Sequence, residues 1–284
     1  MKSDAADPLD HEGREQLPPF SRMLYHWFMV YVRRSMRRHF HALRLLRGVG
    51  EQPDAPDLAG QPVILYTNHP GWWDPLVFFT VAQELWPQRL NYGPIDAAAL
   101  GKYRFLERIG LVGIEPGTRR GAARFIRIAR AAGRCPDVIF WVTAQGEFAD
   151  PRERPMVIRP GVGHAALGNE RGLIVPMAVE YPFWNERLPE ALVAFGEPMP
   201  MGPGSGLDAH AWNALLATRL EATQDRLAHA ARRRDPAPFR TILAGDVGVG
   251  GVYDLSRRCR AWLKGERFDP SHGGVSSISS EPRR

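Results

Sequence analysis

Cysteine is nearly absent from this chain: Cys135 and Cys259 are the only two in 284 residues. Two thiols cannot build the disulfide framework of a small secreted domain, nor a cysteine-based zinc site, and they fit a reducing, cytoplasmic compartment. Lysine is almost as scarce, with only Lys2, Lys102 and Lys264 among the 37 basic side chains. The arginine excess carries little weight by itself, because a GC-rich genome would also produce it. No apolar run approaches the ~20 residues that span a bilayer. The longest, Met23 to Val32, reaches about half that length and is interrupted by His26. The first eighteen residues are polar, acidic and proline-containing, so no cleavable leader is expected. The histidines lack paired ligand spacing, which argues against a metal site. Gly245 to Gly251 is glycine-rich but lacks the Gly-Lys-Ser/Thr ending of a P-loop, and reads as a turn.

What is present describes a globular protein, with 44% hydrophobic and 24% charged residues. A net charge of +6 suits anionic partners: acidic lipid, phosphate-bearing substrates or nucleic acid. After a flexible segment over 1–19, residues 20–47 read as one amphipathic helix within a unit ending at 48. Tyr25, Trp27, Phe28 and Tyr31 are followed by Arg33, Arg34, Arg37 and Arg38, with Met36, Phe40 and Leu43 opposite. Aromatics beside arginines suit a helix lying in a membrane interface; a helix packed on its own domain is the other reading. The main domain is expected over 49–235, opening on a polar linker. Strands are expected at 62–67, 111–114, 138–142, 173–180 and 191–195. Helices are expected near 75–86, 119–132, 160–168 and 208–233. This alternation predicts an α/β fold with a mixed, mostly parallel central sheet flanked by helices. A small C-terminal extension (236–268) and a disordered tail (269–284) complete the expected organisation.

Asn68-His69-Pro70-Gly71-Trp72-Trp73-Asp74 joins an apolar strand to an apolar helix. A histidine five residues before a carboxylate, at such a junction, can act as a general base with its orienting partner. The spacing alone is weak, because Asp74-Pro75 is also a good helix start and His69 could be a turn histidine. A second cluster follows strand 138–142: Thr143-Ala144-Gln145-Gly146-Glu147-Phe148, then the basic loop with Arg152 and Arg154, then Arg159-Pro160-Gly161.

Taken in order over about residues 60–200, four blocks resemble the glycerolipid acyltransferase superfamily, of the 1-acylglycerol-3-phosphate acyltransferase type. Asn68-His69 with Asp74 matches that family's N-H-x-x-x-x-D. Gly110 to Glu115 stands at its second block and Gln145-Gly146-Glu147-Phe148 at its F-P-E-G-T-R. Val175-Pro176-Met177 matches its V-P-V strand, and Gly196-Glu197-Pro198 the turn beyond. Three positions depart from the family. Its acidic residue is Gln145 and its phosphate-contacting arginine is Phe148; the second-block arginine falls near Pro116, with Arg119 and Arg120 close by. Phenylalanine cannot fork onto a phosphate. The acceptor is therefore expected either to be non-standard or to be held by Arg119, Arg120, Arg152 or Arg154.

The resemblance implies transfer of a fatty acyl group from acyl-CoA or acyl carrier protein, the thioester co-substrate, to a lipid hydroxyl, in the sphere of phospholipid biosynthesis. His69 would be the base and Asp74 its orienting group. Asn68, Gly71, Gln145, Gly146 and Glu147 would join the four arginines around the substrates, and backbone N–H groups near Gly146 or Gly71 would meet the oxyanion. Trp72, Trp73, Phe78, Phe79 and Trp141 would line the acyl chain's path. No metal or resident cofactor is implied. The expected partners are a membrane lipid acceptor, an anionic membrane surface on the inner face of the cell membrane, and acyl carrier protein, without nucleic acid. The competing expectation is a non-catalytic lipid-binding protein of the same fold.

Overall fold

The computed structural model describes residues 13–48, 53–58 and 60–245. A mixed, mostly parallel sheet forms its centre, with strand order β4-β3-β5-β2-β6-β7-β1-β9. The strands are β1 (Ala42–Leu46), β2 (Val63–Thr67), β3 (Leu90–Asp96), β4 (Leu111–Ile114), β5 (Val138–Thr143), β6 (Leu173–Glu180), β7 (Glu190–Phe195), β8 (Met199–Pro200) and β9 (Phe239–Ala244). The short β8 pairs off the main path with β6. Pairing is parallel from β4 through β6 and again between β1 and β7; β6–β7 and β1–β9 are antiparallel. The helices are α1 (Arg22–His39), α2 (Asp74–Leu85), α3 (Ala97–Lys102), α4 (Arg119–Ala132), α5 (Pro160–Gly168) and α6 (Ala209–Arg232).

The central strands β2, β5 and β7 are apolar runs, and burial on both faces explains why they do not alternate. One layer of core, including Met29, Leu65, Phe79 and Val175, lies under α1 and α2. The other, including Ile64, Phe140, Trp212 and Leu216, lies under α4, α5 and α6. Helix starts follow their capping chemistry: Ser21, Thr118 and Asp208 each accept a backbone N–H of the first turn.

Residues 20–47 are not one helix. α1 ends at His39, Phe40 turns extended (φ −124°, ψ 145°), and Ala42–Leu46 forms β1 between β7 and β9. Leu43 and Leu45, spaced two apart, are both buried in the sheet. Boundaries at 48/49 and 235/236 therefore cut through one sheet, because β1 and β9 are strands of it. Nor are residues 13–19 loose: Leu17 is buried, Arg14 pairs with Asp137, and Pro18 accepts from the Tyr92 hydroxyl. The expected turn at 245–251 lies outside the described residues beyond Gly245, as do the expected extension beyond 245, the tail and residues 1–12. Strand β3 was hidden by its sequence, Leu-Asn-Tyr-Gly-Pro-Ile-Asp, which carries turn residues at its centre. Pro94 falls past the stretch paired with β5, so its missing N–H leaves no gap in that ladder. The next turn needs Gly110, at φ +98°, where a Cβ would stand 1.9 Å from the Asn91 carbonyl oxygen.

Among the described residues no helix is long and apolar enough to cross a membrane. α1 is two-faced. Tyr25, Met29, Val32 and Met36, at four- and three-residue spacing, are buried on the domain. Met23, Trp27, Val30 and Tyr31 point outward; Trp27 is 71% exposed.

Candidate active site

Three neighbouring parallel strands deliver the candidate site at their carboxyl ends, where open α/β sheets bind ligands. β2 leads into Asn68 and His69, β5 into the loop holding Gln145, and β6 into Tyr181. Asn68 is buried, and its amide both donates to the Val179 carbonyl (2.9 Å) and accepts from the Val179 N–H (2.8 Å). The side chain thus extends the β2–β6 ladder past its last paired residues. The His69 backbone is held on either side: its N–H donates to Gln145 Oε1 (2.9 Å) and its carbonyl accepts from Ala149 N–H (3.0 Å).

His69 Nδ1 donates to Asp74 Oδ2 at 2.5 Å, and the Asp74 side chain is fully shielded from solvent. Asp74 does not cap α2, whose N-cap is Trp73 without a side-chain cap bond. Its carboxylate turns back instead, taking the Gly71 N–H on Oδ2 (3.3 Å) and the Tyr181 hydroxyl on Oδ1 (2.5 Å). Burial first, then the Asp74 charge and hydrogen bond, push the Tyr181 phenol well above its usual pKa, so it stays a donor. With Nδ1 occupied, Nε2 is the imidazole nitrogen left for a substrate. The Phe148 ring lies 4.5 Å from the imidazole centre.

His69 sits on a groove of about 2060 Å³, larger than the ~300–1,000 Å³ of ordinary small-molecule sites. Trp72, Phe78, Phe79, Tyr92 and Trp141 contribute apolar wall. Phe78 and Trp141 stack with centroids 5.1 Å apart, and the indole N–H is satisfied by Asn91 Oδ1 (2.8 Å). Trp73 faces elsewhere, packing against His39 and Phe40. The opposite wall is one face of α4: Arg119, Ala122, Ala123, Ile126, Arg127 and Arg130 all line the groove at helical spacing. Arg159 also lines it, with Nε donating to the Gln145 carbonyl (3.1 Å) and Nη2 reaching Glu147 (3.3 Å).

Of the expected site residues, the fold brings together His69, Asp74, Gln145, Gly146 and Arg119. Gln145 acts on the His69 backbone, and Gly146 (φ +69°) makes the bend that places Phe148 over the imidazole. The others need correction. Asn68 is committed to Val179 and has a structural task. The Gly71 N–H is spent on Asp74, and the Gly146 N–H on the Thr143 carbonyl (3.1 Å), so neither can meet an oxyanion. Glu147 is exposed and paired with Arg159 rather than on the groove. Arg120 is exposed and does not line the groove, although it stands at the edge of the same helical face as Arg127. Arg152 pairs with Asp150, lowering that carboxyl's pKa, and Arg154 pairs with Asp225 on α6; both stand off the groove. Tyr181, Arg127, Arg130 and Arg159 were not expected. The arginines of α4 carried a signal, since 119, 127 and 130 share a helical face with Ala123 and Ile126.

Among the described residues no group of three potential ligands could hold a metal ion. The chain matches no protein-family model, and no curated protein is significantly similar to it. The geometry presents a histidine with one nitrogen fixed on a buried carboxylate and the other free at a large, apolar, arginine-edged groove. Such a pair can accept a proton from a hydroxyl and return it to a leaving group.

Proposed function

We propose that the protein transfers an acyl group from a thioester, acyl-CoA or acyl carrier protein, to the hydroxyl of a lipid acceptor at a membrane surface. The observation that carries the reading is the His69 Nδ1–Asp74 hydrogen bond beside the apolar groove that His69 lines. The order of the sequence blocks supports it independently. His69 Nε2 takes the acceptor's proton as its oxygen attacks the thioester carbonyl, and Asp74 stabilises the imidazolium. Collapse of the tetrahedral intermediate breaks the C–S bond, and the imidazolium returns the proton to the thiolate, giving an ester and a free thiol. The N–H groups of Glu147 and Phe148 have no intramolecular partner among the described residues. They stand on the loop bonded to the His69 carbonyl, and are the oxyanion donors we favour.

The apolar wall suits a long chain, and Arg119, Arg127, Arg130 and Arg159 suit the phosphates of a donor or acceptor. Peripheral attachment to the membrane's inner face is supported by the outward residues of α1 with exposed Arg34, Arg37 and Arg38 beside them, and by Tyr103 and Phe105 at the groove. The groove's size also favours a second reading, lipid binding without chemistry. Incubating the full chain with labelled long-chain acyl-CoA, or with acyl carrier protein thioester, and a mixed lipid extract decides between them. A labelled ester formed by the wild type and lost in His69→Ala is expected. No label from either donor, with vesicle binding intact, would leave lipid binding alone.

A further inference from the structure

We infer that Tyr181 is a positioning residue for His69, acting through Asp74 to fix the plane of the imidazole and to set its basicity; this rests on the proposed role of His69 as base. Asp74 Oδ2 receives the His69 Nδ1–H and the Gly71 N–H, whereas Oδ1 receives only the Tyr181 hydroxyl among the described residues. A carboxylate bound on both oxygens cannot rotate about its Cβ–Cγ bond without breaking a hydrogen bond, and no water can replace one in a fully shielded site. Tyr181 enters from the end of β6, while His69 enters from β2, so the phenol ties the pair to a second strand. Its own ring is held by Phe40, 5.5 Å away at the end of α1.

The phenol also acts on the charge of the carboxylate. The phenol proton draws negative charge towards Oδ1. Without it, the charge concentrates on the oxygen facing His69, which favours the protonated imidazole and leaves less free base at neutral pH. On the β5 side Arg159 pairs with Glu147 (3.3 Å), and at the end of α1 His39 packs against Trp73. Changing Tyr181 leaves them in place.

The test uses the full chain as wild type, Tyr181→Phe, Asp74→Asn and the double variant. Diethylpyrocarbonate modification of His69, followed by peptide mass spectrometry across pH, reads imidazole protonation with no substrate. For Tyr181→Phe we expect the midpoint to move up by about one pH unit. In the acyl-transfer assay kcat at neutral pH should fall ~10-fold with KM unchanged, and both effects should vanish on the Asp74→Asn background. An unmoved midpoint with only a lower melting temperature would reduce Tyr181 to packing and overturn the inference. If Tyr181→Phe does not fold, 3,5-difluorotyrosine at 181 keeps the shape and acidifies the phenol. It must then move the midpoint the opposite way, and no movement overturns the inference. A shifted midpoint in a protein that transfers no acyl group would retain the relay and remove the proposed function. Acyl transfer with unchanged midpoint and kcat would do the reverse.

Discussion

Replacing Asp74 by asparagine separates the charge of the candidate pair from its geometry. The amide has the size of the carboxylate, and the site dictates how it must sit. Oδ2 faces two donors, His69 Nδ1–H and the Gly71 N–H, neither of which can turn away. Oδ1 faces the Tyr181 hydroxyl, which can rotate and accept. The asparagine will therefore direct its NH₂ at Tyr181 and keep its oxygen on His69, preserving the tautomer and the ring orientation. What is lost is the negative charge beside an imidazolium that forms only during proton transfer. A hydrogen bond to a charged partner contributes about 1.5–3 kcal/mol, and the dry surroundings of Asp74 place this case at the upper end. A loss of about 3 kcal/mol from the transition state corresponds to roughly a hundredfold fall in kcat. KM should change little, because ground-state binding involves no imidazolium. The assay is steady-state acyl transfer from the better donor, with the melting temperature measured alongside. An Asp74→Asn protein working within threefold of wild type, and melting normally, would refute the charge role and with it the general-base mechanism.

Asn68→Ala removes both bonds to Val179 and leaves that buried N–H and carbonyl unpaired, so a loss of about 2–4 kcal/mol is expected. Denaturant unfolding measures it, and a loss under 0.5 kcal/mol would contradict the ladder role. Burial raises the pKa of Glu180 at the end of β6, against the lowering effect of Arg152 and Arg232. Folded Glu180 thus holds its proton more tightly than unfolded, so its stability contribution is present below the unfolded carboxylate range (~4.3) and lost as pH rises through the folded value. Glu180→Gln should therefore raise the melting temperature at pH 7 and not at pH 4; a gain equal at both would exclude titration as the cause. Trp27→Glu should leave the melting temperature unchanged, since Trp27 is 71% exposed. Its binding to anionic vesicles should weaken roughly 10- to 100-fold, from the ~1.5–3 kcal/mol of an apolar side chain withheld from the bilayer; unchanged sedimentation with vesicles would remove α1 from the docking face.

How much of the fold is legible in the sequence depends on whether the contacts that fix an element are local. The strands at 111–114 and 173–180 and the helices at 119–132 and 160–168 were legible to the residue, because each is bounded by strong local signals such as Thr118 or Pro160. β1 was not, because Leu43 continues the three- and four-residue spacing of Met36 and Phe40; only pairing with β7 and β9, distant in sequence, makes it a strand. His69 and Asp74 were legible because their partnership is local, five residues apart on one turn. Tyr181 was invisible for the opposite reason: it lies 107 residues beyond Asp74, and only the parallel pairing of β2 with β6 sets it beside the carboxylate. The same distinction explains the arginines. Arg152 and Arg154 read as free cations on a loop, but Asp150 beside one and Asp225 on α6 engage them both. The arginines ranked along the groove by one helical face are those at 119, 127 and 130, with Arg159, itself paired with Glu147, just before the next helix. In the proposed reading, an anionic substrate group would meet α4, because Phe148 stands on the loop after β5 and offers no fork to a phosphate. A substrate spanning the groove would place its anionic group there and its reacting carbonyl at His69.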